Sequence, residues 1–520
     1  MSTEDSSVPP GTKHAAIHPV TSQSQGEVED VVAKSTDDST LDEAAKYLAN
    51  ANAGQYAPLT PDREKKLLRK IDSWMIPLLL FTATLGAVDK VEIGTASLYG
   101  VQTDNHMHGQ EYSWLGSILP LGQLCGYVIT TWLVHRVPPG KLLCVASLLW
   151  SILTTLYAAC HSWAGFMVLR FLMGFIESAI TPSLTMLVVS FYKKEEQPQR
   201  NAIIFAYFSS IFNGFFAWVV GQIPDSAPLK KWQYLYLMTG VINVLYSLFL
   251  FTALPDSPMN ARFLTEEEKF WAVERLASNR TGIHNKVWKW EQVSEALLDV
   301  KIWLIFIFNV AINIPNGGLQ AFGTIIISNL GFSDINASLL TMPFGVLATS
   351  SAWFFSYIAS RWHNRRTIVA CIALLLPIFG TALVYGLPQS SVAGQLVGLY
   401  FMYFYWPPYV IGISLPQANT AGQTKKSIAF SLVTIGYAAG NLIGPQTFIS
   451  NQAPKYTGGV VAMLVCYCIS ILILLVYFAV VAIDNKNKDK KYGKPEGFNN
   501  VVEGFADVTD KNQENFRYTH

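Results

Sequence analysis

Twelve apolar runs, each close to the roughly 20 residues a helix needs to cross a bilayer, constrain this chain more than any other feature. They lie at about 71–98, 113–134, 142–160, 164–191, 202–221 and 234–254, and again at about 302–328, 338–360, 367–387, 392–415, 428–449 and 458–483. In hydrocarbon every backbone polar group must be satisfied within its own segment, so runs of this length read as α-helices. The sequence therefore predicts an all-α membrane protein with twelve transmembrane helices, six on each side of a hydrophilic stretch at 255–300. Only 14% of the residues are charged, against about 25% in a soluble protein.

Several function classes drop out. The net charge of +1 points to no nucleic-acid partner. The six cysteines, Cys125, Cys144, Cys160, Cys371, Cys466 and Cys468, fall in or beside apolar runs, and none has metal-ligand spacing with a histidine. They read as small membrane hydrophobes rather than a disulfide framework. No nucleophile–base set or metal cluster is visible, so the chain is not read as an enzyme and no cofactor is expected. The first sixty residues are polar and read as a disordered tail. No cleavable signal peptide precedes the first span, which must then serve as the insertion signal.

The domain reading is a tail at 1–60, a six-helix bundle at 61–254, a central loop at 255–300, a second bundle at 301–484 and a tail at 485–520. Lys and Arg of the short loops set orientation. Arg136 and Lys141; Lys193, Lys194 and Arg200; Arg361, Arg365 and Arg366; and Lys425 and Lys426 all lie on one side, with Lys486, Lys488, Lys490 and Lys491 in the C-tail. Lys230, Lys231 and Lys455 go against the pattern. Both termini are thus predicted cytoplasmic, in a multi-pass protein of the plasma membrane. Asn279 would stay unglycosylated inside, whereas Asn336, in Asn336-Ala337-Ser338, lies outside as a possible acceptor.

The halves echo each other. Arg136-Val137-Pro138-Pro139-Gly140-Lys141 follows the second span and Arg361-Trp362-His363-Asn364-Arg365-Arg366 the eighth; Gln199-Arg200-Asn201 precedes the fifth and Thr424-Lys425-Lys426 the eleventh. Duplicated six-helix units are an architecture that secondary transporters use for alternating access. In the central loop, Thr265 precedes Glu266-Glu267-Glu268 as a helix cap before acids. A second amphipathic helix over 286–301 is predicted to lie on the membrane. Gly436, Gly440 and Gly444 recur every four residues and predict a close-packing helix face.

Charges inside spans are costly and mark function. Asp89, Lys90 and Glu92 sit near the far end of the first span, and Arg170 and Glu177 share a face of the fourth. At 1.5 Å per residue, Glu92 and Arg170 both lie roughly 9 Å from the outer ends of their helices. Arg170 should then have acidic partners in reach, and its two-pronged guanidinium suits a substrate carboxylate. A purely structural Arg–acid pair is the alternative. Glu177, deeper and without an evident partner, is the candidate proton carrier. The second half offers Asn309 and Asn313 in its first span, and Tyr403 and Trp406 in its fourth, as polar and aromatic walls for a substrate; an interfacial aromatic belt is the competing account of the latter pair.

The motifs carry a resemblance. Leu98-Tyr99-Gly100-Val101-Gln102-Thr103-Asp104 with Tyr112-Ser113-Trp114-Leu115-Gly116, the Arg170-Phe171-Leu172-x-Gly174-x-x-Glu177-x-x-x-x-Pro182 run, Tyr192-Lys193-Lys194-Glu195-Glu196-Gln197-Pro198, Asn419-Thr420-Ala421-Gly422-Gln423-Thr424-Lys425-Lys426 and Gly436-Tyr437-Ala438-Ala439-Gly440-Asn441-Leu442-Ile443-Gly444-Pro445-Gln446 occur in order. Over about 69–484 the chain resembles the fungal allantoate permease family, the anion:cation symporter branch of the major facilitator superfamily. The resemblance implies the two-bundle major facilitator fold, a monomer in the lipid bilayer, and proton-coupled uptake of a small organic anion such as allantoate, ureidosuccinate, a vitamin carboxylate or a short peptide. Glu92 stands where relatives often carry Asn, which leaves room for a zwitterionic or cationic substrate. An exporter of a fungal metabolite and a non-transporting nutrient receptor are the rival readings.

Overall fold

The computed structural model describes residues 56, 58–134, 136–193, 195–277, 288–362, 364–493, 508–514 and 516–520. The expected polar tail before residue 56 and the Asn279 sequon lie outside the described residues. The spanning helices are α1 Pro61–Leu98, α2 Glu111–Val134, α3 Pro139–Tyr157, α4 Trp163–Phe191, α5 Gln197–Gly221 and α6 Lys231–Ala253. Two short helices follow, α7 Glu266–Ala277 and α8 Trp290–Leu297. The second half contains α9 Val300–Ser328, α10 Asp334–Arg361, α11 Arg366–Gly386, α12 Val392–Asn419, α13 Thr424–Thr447 and α14 Thr457–Tyr492. Eleven of these are long and apolar enough to cross a membrane among the described residues, and α2, with 24 residues, stands where the twelfth span is expected.

Local chemistry sets the ends and breaks. Thr60 caps α1, its hydroxyl accepting from the Arg63 amide at 3.4 Å, with Pro61 and acidic Asp62 and Glu64 in the first turn. Ser162 caps α4 by accepting from the Gly165 amide at 3.3 Å. The regular helix of α4 pauses after Glu177 and resumes at Ile180. Pro182 lacks an N–H, and its ring crowds the carbonyl four residues back, at Ser178. The fourth span therefore breaks beside its own buried acid.

Packing repeats in both halves. Helix α1 lies on α5 as α9 lies on α13; α3 lies on α6 as α11 lies on α14; α2 lies on α4 as α10 lies on α12. Between halves, α1 meets α9, while α2–α13 and α5–α10 form two seams. A two-fold operation that exchanges the halves exchanges those seams with each other. Glycines allow the seams to close: a methyl on Gly214 would stand 2.8 Å from the Ser338 carbonyl, one on Gly345 2.7 Å from the Tyr207 carbonyl, and one on Gly116 2.9 Å from Pro445. The predicted Gly436/Gly440/Gly444 face does pack closely, on the backbone of α9 at Phe306, Val310 and Ile314.

The face that carries Pro61, Ala253, Val300 and the last residues is here called the terminal face. On the opposite face the halves are sealed. Tyr112 Oη donates to the Ala321 carbonyl at 2.7 Å, Ser113 Oγ to the Phe448 carbonyl at 3.3 Å, and the Tyr112 ring meets Phe322 edge-on at 5.2 Å. Asn336 is exposed on that face, but it lies in a short helical stretch whose Ser338 is buried. In the described part of the stretch expected to form the second loop helix, Trp290–Leu297 forms α8, and Val300 and Lys301 already belong to α9. Trp288, Trp290, Leu297 and Leu298 are exposed there, and Gln292 and Ala296 face the protein.

Candidate functional site

A central cavity of about 370 Å³, counting its mouth, lies between the halves. Its polar lining is Lys90 of α1, Gln123 of α2, Arg170 of α4, Gln320 of α9, and Tyr437 and Asn441 of α13. Of the residues singled out in the sequence, Arg170 and Lys90 reach this wall.

Arg170 is 2% exposed, and its Nε and Nη1 have no hydrogen-bond partner among the described residues. No carboxylate oxygen pairs with it within 4.0 Å among those residues, although Glu92 is near enough to act on it through space. The expected acidic neighbourhood is present, while the expected contact pair is not. The buried guanidinium thus has donors to spare.

Glu177 departs from expectation. It has a fixed partner: its Oε1 lies 2.7 Å from Lys90 Nζ, and its Oε2 accepts from Gln123 Nε2 at 3.2 Å. Counting helix rise placed Glu177 below Lys90, but the four-carbon lysine stem spans the offset. The pair joins α1, α2 and α4 at the edge of the cavity. Asp89 and Glu92 turn the other way. Asp89 accepts from Trp150 Nε1 and from Thr154 Oγ1 at 3.0 Å, both on α3; Glu92 Oε1 accepts from Thr239 Oγ1 of α6 at 2.7 Å. Both acids face outer helices of their own half and do not line the cavity.

In the second half, amides replace charges. Asn316 Oδ1 accepts from Gln320 Nε2 at 2.7 Å and from Tyr405 Oη at 2.5 Å, while its Nδ2 donates to Asn441 Oδ1 at 3.0 Å and to Asn313 Oδ1 at 3.3 Å. Its amide is therefore saturated, and it holds Gln320 and Asn441 at the cavity wall. Asn309 and Asn313 do not reach the cavity: each donates to the carbonyl four residues back, and their Cβ atoms press against Gly436 and Gly440. Tyr403 stacks on Phe344 at 3.8 Å, also away from the cavity. Trp406 contacts Tyr207 of α5 across the halves, with ring centroids 5.2 Å apart. Asn316 and Gln320 continue Asn309 and Asn313 at helical spacing along α9, a signal that could have found them; which members of this stripe face the cavity depends on where α13 covers it.

Residues 78–445 match the model of the Major Facilitator Superfamily. The chain belongs to that superfamily. It is 40% identical over 458 residues to "MFS-type transporter cnsL" of Penicillium expansum, covering 88% of each chain. It is 35% identical over 494 residues to the allantoate permease of Saccharomyces cerevisiae, covering 92% of this chain and 90% of that one. The partially occluded inward-open xylose transporter XylE from E. coli superposes with a TM-score of 0.56 at 17% identity, over 78% of this chain and 98% of that one. This likeness concerns the fold. The resemblance read from the motifs therefore stands, and the protein is a multi-pass membrane transporter of the superfamily, not an enzyme.

Proposed function

We propose that the protein takes up a small organic anion together with a proton, by alternating access about the central cavity. The observation that carries this reading is the buried guanidinium of Arg170 on the cavity wall, whose Nε and Nη1 have no hydrogen-bond partner among the described residues, with Lys90 on the same wall. A buried cation lacking a contact partner is costly, and a substrate carboxylate relieves that cost with a bidentate pair. Glu177 is the proton carrier in this scheme. Protonating it dissolves its contact with Lys90 and frees that ammonium for the substrate; release of the anion lets the pair re-form and expels the proton. The likeness to an allantoate permease supports an organic acid as cargo. The bundles at 61–254 and 301–484 are the moving bodies, the Lys/Arg bias supports cytoplasmic termini, and uptake from outside places the protein in the plasma membrane on this reading.

The test is uptake of a labelled organic-acid panel, allantoate included, into cells lacking their own permeases. Accumulation that collapses with the proton gradient is the expected outcome. Export of the label, or no uptake of any acid, would overturn import. Glu177→Gln should abolish gradient-driven accumulation and spare exchange; wild-type accumulation in that variant removes Glu177 from the coupling role.

A further inference from the structure

Lys425, at the start of α13, is 1% exposed at its side chain, yet its ammonium touches three carboxylates: Glu295 of α8 at 2.9 Å, Asp299 at the cap of α9 at 2.8 Å, and Asp510 at 2.7 Å. The third acid comes from the last thirteen residues of the chain. Burial works against the Asp299 carboxylate, but Lys301 and Lys425 hold it below the usual carboxylate range. Asp510 is fully buried, and its other oxygen accepts from Tyr518 Oη at 2.8 Å.

The rest of 508–520 is tied down by main-chain reading. Asn419, at the end of α12, exchanges two hydrogen bonds of 2.6 Å with the backbone of Thr519. Asn485 of α14 does the same with Tyr518 at 2.8 Å. Lys488 Nζ donates to the Asp510 and Gln513 carbonyls at 2.5 and 2.9 Å, and the Arg366 amide donates to the His520 carbonyl at 2.8 Å. Asn419 and Asp299 also line a second cavity, of about 230 Å³, between α9, α12 and α14.

The first half has a counterpart. After α6 the chain returns as α7, and its Arg275, 1% exposed at the side chain, pairs with Glu64 of α1 at 3.4 Å and with Glu196 just before α5. In both halves, then, the segment following the sixth helix folds back over the terminal face, onto the starts of the first and fifth helices. The polarity is inverted: the returning segment brings the cation in one half and an anion in the other. A buried charge brought by a segment costs several kcal/mol unless it finds its partner, so among the contacts of each segment this ion pair is the one that cannot be lost cheaply.

We propose that residues 508–520 are a clamp built into the second half, the counterpart of α7, in which Asp510 on Lys425 binds the start of α13 to α8, α9, α12 and α14 so that their terminal ends move as one body. The inference does not depend on the cargo. The test is hydrogen–deuterium exchange on the full-length protein in nanodiscs of phosphatidylcholine, compared with Asp510→Ala, Asp510→Asn, Asp510→Glu and a chain ending at residue 507. Loss of the clamp lets 419–427 open locally, so Asp510→Ala and the shortened chain should exchange there about tenfold faster or more. Asp510→Asn keeps the volume and removes the charge, and should behave like Asp510→Ala; Asp510→Glu should stay near wild type. Exchange around Arg275 and Glu196 should not change. Equal protection of 419–427 in the wild type, Asp510→Asn and the shortened chain would overturn the clamp. So would a uniform rise across both halves, which reports general destabilisation instead.

Discussion

The two walls of the cavity are built on opposite principles. The wall from the first half holds charge: Arg170, with Nε and Nη1 unpaired among the described residues, and Lys90 bound to Glu177. The wall from the second half holds neutral amides that satisfy one another through Asn316. A buried charge left unpaired is expensive, whereas a saturated amide network is cheap and rigid. The first wall is therefore poised to change partner, and the second is a template that stays in place. On the function proposed above, sensing the cargo's charge and fitting its shape would fall to different halves, which mutation can separate.

The largest expected effect breaks the first wall. Lys90→Met strands Glu177, and loss of one partner of a buried pair costs about 3–5 kcal/mol. Surface expression and thermal unfolding should both fall, and Glu177→Gln added to Lys90→Met should restore them. Failure of that second change to rescue would mean the pair is not what holds α1 to α4. Next comes the hub of the second wall. Asn316→Leu leaves Tyr405 Oη, Gln320 and Asn441 short of partners, at about 1–3 kcal/mol for a stranded group. Its melting temperature should drop, and no charge change in the first half should rescue it. Rescue by Glu177→Gln would erase the contrast between the walls.

A smaller effect is expected where the two principles do not enter. A methyl at Gly440 would lie 2.6 Å from the Val310 carbonyl, so Gly440→Ala should push α13 off α9 at a cost of about 1–3 kcal/mol. Thermal unfolding of the purified variant measures this, and an unchanged midpoint would show that the seam yields easily. The smallest effect on stability sharpens the first wall most. Arg170→Lys keeps the charge and loses the fork, so apparent affinity for the cargo should fall about tenfold, or about 1.4 kcal/mol, at normal surface expression. Unchanged affinity would remove the carboxylate role from Arg170.

Much of this organisation was legible in the sequence because hydropathy and helix period act locally. The spans were read to within a few residues at most ends, and the glycine face of α13 followed from four-residue spacing. Partners were harder. Asn309, Asn313, Asn316 and Gln320 form one helical stripe, but only packing by α13 decides that the first two are covered and the last reaches the cavity. The Lys90–Glu177 contact escaped a count of helix rise because side-chain reach is not in the rise. The docking of 508–520 was illegible: a short polar tail has no period, and Asp510 becomes informative only once Lys425 is placed in space.

The glycine-lined seams between the halves have a consequence for speed. Where Gly214 meets Ser338, Gly345 meets Tyr207 and Gly116 meets Pro445, the helices run close together, and the side chains in the joint, Met342, Ile211 and Pro445, each lie against a glycine. Such a surface is a bearing: helices can roll over it by small shear steps without first unpicking knobs from holes. Its quality bears on turnover as well as on folding. Wear on it, one methyl at a time, would slow the cycle as well as loosen the joint.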